Sequence, residues 1–225
     1  MIVVDDVRFS YPNSTFQLAI PELTLQPEET LAVVGPSGSG KTTLLNLIAG
    51  LLVPQSGRIT VGEQEVTELG DAGRRSFRAS QIGFVFQDFA LLDYLSAFEN
   101  ILYPFRITPH LKLEGAVRQR AKDLAAACGI AEKLNRRPNA LSQGEQQRVA
   151  ICRSLIASPS LILADEATGN LDPANKSLIL DLLFERTRET GAALLAVTHD
   201  HELLPRFDRV IDFSQFRIDN ESAKT

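Results

Sequence analysis

At 225 residues, with 44% hydrophobic and 23% charged positions, the chain has the length and composition of a globular protein that buries a substantial core. A net charge of −5 supplies no basic face, so no nucleic-acid partner is expected. Cys128 and Cys152 lack the paired spacing and neighbouring histidines of a scaffold or metal site, and both read as small buried residues.

No apolar run reaches the roughly 18–20 residues of a membrane span, and the first nine residues are acidic where a signal peptide would be basic and then apolar. A cytoplasmic chain is therefore expected, with any membrane role falling to a separate partner. From the amino end, residues 2–7 and 16–20 run apolar or alternating around Pro12-Asn13-Ser14 and predict a hairpin. Tyr11 lies just before the turn. Its ring could lie flat on a base, but the position taken alone favours ordinary packing.

Leu31-Ala32-Val33-Val34 predicts a buried strand, and residues 43–49 an apolar-faced helix. Between them stands Gly35-Pro36-Ser37-Gly38-Ser39-Gly40-Lys41-Thr42, which matches G-x-x-x-x-G-K-[ST] in full and in its required context. Such a stretch is a phosphate cradle. Glycines let successive N–H groups turn inward, and the following helix offers its unpaired amides and positive dipole end to the same anion. A side chain at Gly38 or Gly40 would intrude on that space. Lys41 supplies a point charge for the β- and γ-phosphates, and the Thr42 hydroxyl can enter a Mg²⁺ shell.

Gly50 reads as the cap of the cradle helix, Pro54-Gln55-Ser56-Gly57 as a turn, and residues 58–61 as another strand, so antiparallel β structure accompanies the nucleotide strand. Ile82-Gly83-Phe84-Val85-Phe86-Gln87 reads as a buried strand ending in one amide, either a solvated strand end or a ligand contact at the carboxyl edge of a parallel sheet. From 88 to 158 the texture turns helical, with residues 118–128 rich in helix formers. Leu141-Ser142-Gln143-Gly144-Glu145 precedes an apolar-faced helix over 149–157. Ser142 and Glu145 have capping-box spacing, and a helix start that can cap itself can also bind an anion.

Leu161-Ile162-Leu163-Ala164 predicts a strand tipped by Asp165-Glu166. Beside a phosphate cradle the pair suggests two roles, Asp165 in the Mg²⁺ shell and Glu166 polarising the attacking water. Residues 169–173 read as a turn, 174–190 as a long helix and 193–198 as a last buried strand ending in His199. A lone histidine is more often structural. This one closes a strand as Gln87 and Asp165 do, and if those strands share a parallel sheet their ends converge on one edge.

With the cradle, Gln87, Leu141-Ser142-Gln143-Gly144-Glu145, Asp165-Glu166, Gly169-Asn170-Leu171-Asp172 and His199 in this order, the chain resembles the ATP-binding subunit of an ABC transporter, from Ile2 to about Phe213. P-loop kinases and GTPases lack the Ser-x-Gly signature upstream of the Asp-Glu strand. The resemblance implies an α/β P-loop NTPase fold with a RecA-like core and antiparallel β subdomain (1–87 and 159–225) and an inserted α-helical subdomain (88–158), within one ATP-binding domain.

It also implies roles. Tyr11 would stack on adenine, which reverses the reading of that position alone. Gly35, Pro36, Ser37, Gly38, Ser39, Gly40, Lys41 and Thr42 would wrap the phosphates, with Thr43 extending the contact. Thr42, Gln87 and Asp165 would serve Mg²⁺, and Gln87 would also touch the lytic water and sense the membrane partner. Glu166 would act as base, while His199 would hold the γ-phosphate and water. Ser142 and Gly144, with Gln143 and Glu145 around them, would meet ATP held by a second copy, and Asp172 would communicate across that head-to-tail dimer.

The implied partners are thus a second copy and an integral membrane permease, with the chain peripheral on the inner face of the cell membrane. Gln143 and Glu145 depart from the usual Leu-Ser-Gly-Gly-Gln signature, Ala167 stands where many relatives have proline, and the tail Phe213–Arg217 lacks the usual Asp-Gly turn. No appended regulatory domain is expected in the few residues beyond that tail. Asp165–Asp172 and Phe86–Leu92 look like the branch containing lipoprotein-release and macrolide-efflux ATPases. A soluble ABC-type ATPase acting on ribosomes or DNA is the alternative reading.

Overall fold

The computed structural model describes residues 1–109, 111–169, 171 and 173–217. Two sheets organise them. The first is antiparallel, in the order β2-β1-β4-β5, and consists of β1 (Ile2–Ser10), β2 (Gln17–Leu25), β4 (Ser56–Val61) and β5 (Gln64–Glu65). The hairpin of β1 and β2 is longer than the sequence pattern predicts, because Pro21 does not end β2. That strand is the sheet edge, where a missing N–H breaks no ladder, and Pro21 stands opposite Asp6, whose φ of 43° already interrupts the pairing.

The second sheet is parallel, in the order β6-β7-β8-β3-β9. Its strands are β3 (Thr30–Val34), β6 (Ile82–Val85), β7 (Leu161–Asp165), β8 (Ala193–Val197) and β9 (Arg209–Asp212). Parallel strands buried on both faces need apolar side chains at every position, which is why these stretches read as continuous runs. The period of two divides them between two cores. Ala32, Ile162, Ala164, Leu194 and Ala196 face the helices, whereas Leu31, Val33, Leu161, Leu163, Leu195 and Val197 face the antiparallel sheet and α1.

Helix α1 (Lys41–Ile48) follows β3, and Gly50, at φ 63°, provides the left-handed residue just after it. Helix α2 (Asp71–Gln81) leads into β6. Between β6 and β7 lie α3 (Ala97–Ile101), α4 (Tyr103–Ile107), α5 (Gly115–Ala127) and α6 (Gln143–Leu155), and α7 (Pro173–Thr190) connects β7 to β8. Helix α6 begins six residues before the apolar stretch that announces it, because the capping box at Ser142 starts a helix whose first turns are polar.

Helix α6 presses directly on β6: a Cβ at Gly83 would lie 2.5 Å from the Ser154 carbonyl oxygen. Only a glycine admits that approach. From the neighbouring position, the half-buried Arg153 guanidinium donates to the carbonyl oxygens of Phe89 (2.6 Å) and Ala90. These two residues have φ of 62° and 45°, so the segment after Gln87 is a tight turn clamped by α6. Burial pushes the Arg153 pKa down to about 10, which leaves it charged at neutral pH. Asn100, wholly buried, completes the fastening: its amide donates to the Leu92, Leu95 and Ser96 carbonyls and accepts from the Leu92 N–H.

Candidate functional site

Because β6, β7, β8 and β3 are parallel, the segments after them emerge on one edge. Gln87, Asp165-Glu166, His199 and the cradle all lie there, as the sequence pattern anticipated. Strand β6 stops at Val85, so Gln87 belongs to the turn beyond it, whereas the sequence pattern alone places it at the strand's own end. A strand bonded on one side only by β7 loses its ladder as soon as the clamped turn begins.

In the cradle, Gly35, Gly38 and Gly40 have φ of 146°, 78° and 101°, the left-handed region open to glycine. At Gly40 an added Cβ would come within 2.8 Å of the Phe16 ring, and at Gly38 the nearest atom belongs to Arg217, 3.9 Å away. Crowding by Phe16 therefore requires glycine at 40, and backbone conformation requires it at 38. No side chain caps the start of α1 and no acidic residue lies in its first turn, so its amides and dipole face the cavity uncompensated. Lys41 is buried, with its ammonium donating to the carbonyl oxygens of Gly35 (2.7 Å) and Pro36 (3.0 Å). Ser39 is also buried, and its hydroxyl has no hydrogen-bond partner among the described residues.

A cavity of about 450 Å³ opens over this loop, lined by Ser37, Gly38, Gly40, Lys41, Thr42 and Thr43 together with Tyr11, Phe16, Glu166 and His199. Tyr11 is packed, as its position taken alone suggests, and also borders the cavity. Its ring packs edge-on to Phe9 with centroids 4.8 Å apart, its hydroxyl lies 3.1 Å from that of Thr43, and its exposed part forms the cavity wall. A second cavity of about 500 Å³ contains Gln87, Glu166, Thr168, His199, Lys176 and Asp200. The two meet at Glu166 and His199. His199 Nε2 is hydrogen-bonded to Glu166 Oε1, and Glu166 has φ of 49°, a strained value for a residue with a Cβ. Its N–H is held by the Val197 carbonyl at 3.0 Å, which turns the carboxylate away from the sheet.

Asp165 hydrogen-bonds Thr42. Burial raises its pKa above the usual carboxylate value, and Glu166 adds to this, while the Thr42 contact and the charges of Lys41 and His199 oppose it. A further positive charge in the cavity would act in the same direction as Lys41 and His199 and favour the ionised carboxylate. Thr42 and Asp165 are hard oxygen donors already in contact, a set that fits Mg²⁺ carried mainly by phosphate oxygens and water.

Sequence reasoning did not single out Phe16, Lys176 or Asp200. Phe16 closes the cradle from the β1–β2 connection, and Lys176 and Asp200 form an ion pair of 2.7 Å at the mouth of the second cavity. None of the three belongs to a local motif; only packing reveals them.

Ser142, Gln143, Gly144 and Glu145 line neither cavity. They form the start of α6, where the Ser142 hydroxyl accepts from the Glu145 N–H (3.3 Å), the Glu145 carboxylate accepts from the Ser142 N–H (2.9 Å) and Lys133 pairs with Glu145 at 2.8 Å. Asp172 lies outside the described residues. Among the described residues no helix is long and apolar enough to cross a membrane.

The pattern that defines the ABC transporter family matches residues 18–169. The lipoprotein-releasing system ATP-binding protein LolD of Jannaschia sp. is 43% identical and matches over 93% of each chain. The protein of the same name from Ruegeria pomeroyi is 44% identical over 89% of this chain and 87% of its own. Among solved structures, the ATP-binding cassette MJ0796, in a dimeric post-hydrolysis state bound to ADP and Pi, is similar with a TM-score of 0.84 and 33% identity over 94% of each chain.

Proposed function

This chain belongs to the ABC transporter family as an ATP-binding, ATP-hydrolysing subunit, and from that premise we propose that it drives a membrane permease of the lipoprotein-release or efflux type by closing as a homodimer on two MgATP. The observation that carries the reading is the junction of the two cavities at Glu166 and His199, beside the uncapped start of α1. A γ-phosphate held by Lys41 and the α1 amides would lie next to a carboxylate whose histidine partner fixes its direction. Glu166 then takes a proton from water, Gln87 and His199 orient that water, and Tyr11 covers the base. Thr42 and Asp165 would hold Mg²⁺, which neutralises phosphate charge when bound.

The position of Ser142, exposed, and Gly144, half-buried, in the lining of neither cavity supports a site completed by a second copy. The dimeric state of the similar cassette agrees with that arrangement. For the permease, a groove of about 450 Å³ next to the segment that holds Gln87, with Phe84, Phe86, Tyr103 and Ile107 in its walls beside Arg75, Arg78 and Arg153, supports docking of a cytoplasmic helix. The names of the relatives favour this reading over action on ribosomes or DNA, and a peripheral place on the inner membrane follows from it.

Glu166→Gln tests the proposal. Turnover falls by about 10²–10⁴-fold, as for loss of a general base, while ATP binding persists and a dimer accumulates in MgATP. Tagged protein recovered from native membranes then retains an integral membrane protein with a large extracytoplasmic domain. Near-normal turnover would remove Glu166 as the base, and recovery of soluble ribosomal or DNA-associated proteins alone would overturn the transporter reading.

A further inference from the structure

Cys128 and Cys152 read separately as small buried residues, but the fold brings them together. Cys128 caps the carboxyl end of α5 and Cys152 lies in the third turn of α6, with the Cys152 thiol donating to the Cys128 sulfur at 3.2 Å. Neither is in a disulfide. Their access differs. Cys152 has no exposed surface, whereas Cys128 retains 5% and forms part of the wall of a cavity of about 230 Å³ with Arg148, Leu178, Ile179, Leu182 and Glu185.

We propose that Cys128 and Cys152 are a peroxide-responsive dithiol pair that closes into a disulfide joining α5 to α6. The cavity admits a molecule of the size of hydrogen peroxide to Cys128 and leaves Cys152 behind it as the resolving thiol. Charge favours the same order. The hydrogen bond from Cys152 lowers the Cys128 pKa, and Arg186 and Arg148 add to this, while burial and Glu185 work against it. The Cys152 thiol is pushed well up by that hydrogen bond and by burial, so it keeps its proton until attacked.

The chemistry balances in two steps. The Cys128 thiolate attacks one peroxide oxygen, the O–O bond breaks, and sulfenic acid and hydroxide result. The Cys152 sulfur then displaces the hydroxyl from the Cys128 sulfur as an S–S bond forms, its proton leaving with the hydroxyl as water. Overall one peroxide is reduced to two waters and two thiols are oxidised. The sulfurs need approach each other by only about 1 Å to reach a bonded separation of roughly 2.05 Å. In a reducing compartment such pairs are transient and sensing.

The test uses the full chain. After hydrogen peroxide treatment, the protein is unfolded in iodoacetamide and weighed. Both alkylation sites disappear, both return with dithiothreitol, and the closed form melts about 5–10 °C higher, because the bond spans 24 residues of sequence. Cys152→Ser stops at sulfenic acid on Cys128, which dimedone captures, and Cys128→Ser leaves Cys152 an unreacted thiol. Alkylation of both cysteines in peroxide-treated wild-type protein, or a disulfide between chains instead of within one, would overturn the proposal.

Discussion

Helix α1 follows its cap residue Gly40 with no side-chain cap and no acid in its first turn, whereas α6 follows its cap residue Ser142 with a complete capping box and a carboxylate, Glu145, held by Lys133. Both starts carry unpaired amides and the positive end of a dipole. The difference lies in what occupies them. At α1 the anion-binding groups are left for a ligand. At α6 the chain supplies its own acceptors: the Glu145 carboxylate takes the Ser142 N–H and the Ser142 hydroxyl takes the Glu145 N–H, and a carboxylate already stands at the helix start. The start of α1 is thus open in the isolated chain, whereas the start of α6, the proposed contact for a second copy's nucleotide, carries its own cap and carboxylate.

Three substitutions grade this contrast. The largest effect is expected at α1. Lys41→Ala removes the buried ammonium of the cradle, a charged hydrogen-bonding group worth about 1.5–3 kcal/mol, so ATP affinity by equilibrium titration should fall by roughly 10–150-fold. Unchanged affinity would remove Lys41 from the phosphate contact. At α6, Ser142→Ala deletes the cap and should cost about 1 kcal/mol, visible as a Tm lower by about 2–4 °C. ATPase activity should fall further than that loss of stability explains, with ATP affinity of the isolated chain kept. A parallel loss of affinity would mean that Ser142 serves its own chain's nucleotide.

Glu145→Gln should do least. Glutamine preserves the box and only the Lys133 pair is lost, worth at most about 1 kcal/mol on this partly exposed surface. Its sign with pH is defined. Lys133 first, then the Ser142 N–H, lowers the Glu145 pKa below its usual 4.5. The stabilisation is therefore complete above that value and lost as pH falls through the lower folded-state value. Acid titration of Tm should be shallower below about pH 4.5 in Glu145→Gln than in wild type. Identical curves would show that the pair contributes nothing.

How far each region could be read from sequence obeys the same division between local and distant causes. The cradle, β3, β7 and β8 were legible because an apolar run bounded by glycine or paired acids has few other solutions. Helix α2 was not: its segment Asp71–Gln81 buries only Phe77 and offers no apolar stripe to detect. Strand β9 was equally silent, a four-residue edge strand half exposed and recognisable only by its pairing with β3. Within the site, Glu166 and His199 were visible as polar strand ends, whereas Phe16 required the hairpin to fold over Gly40 before it had any meaning.

The contact at Gly83 makes α6 a lever. Its far end is seated backbone to backbone on β6, and Arg153 there grips the turn after Gln87, so that end cannot slide. Any displacement of Ser142 relative to the sheet must then come mostly from rotation about the seat. Twelve residues at about 1.5 Å each put Ser142 roughly 18 Å from it, so a tilt of about 10° would swing the capping box by about 3 Å, near the length of one hydrogen bond. The same tilt, read at the short arm, would twist the Phe89-Ala90 turn and with it the wall of the groove beside Gln87.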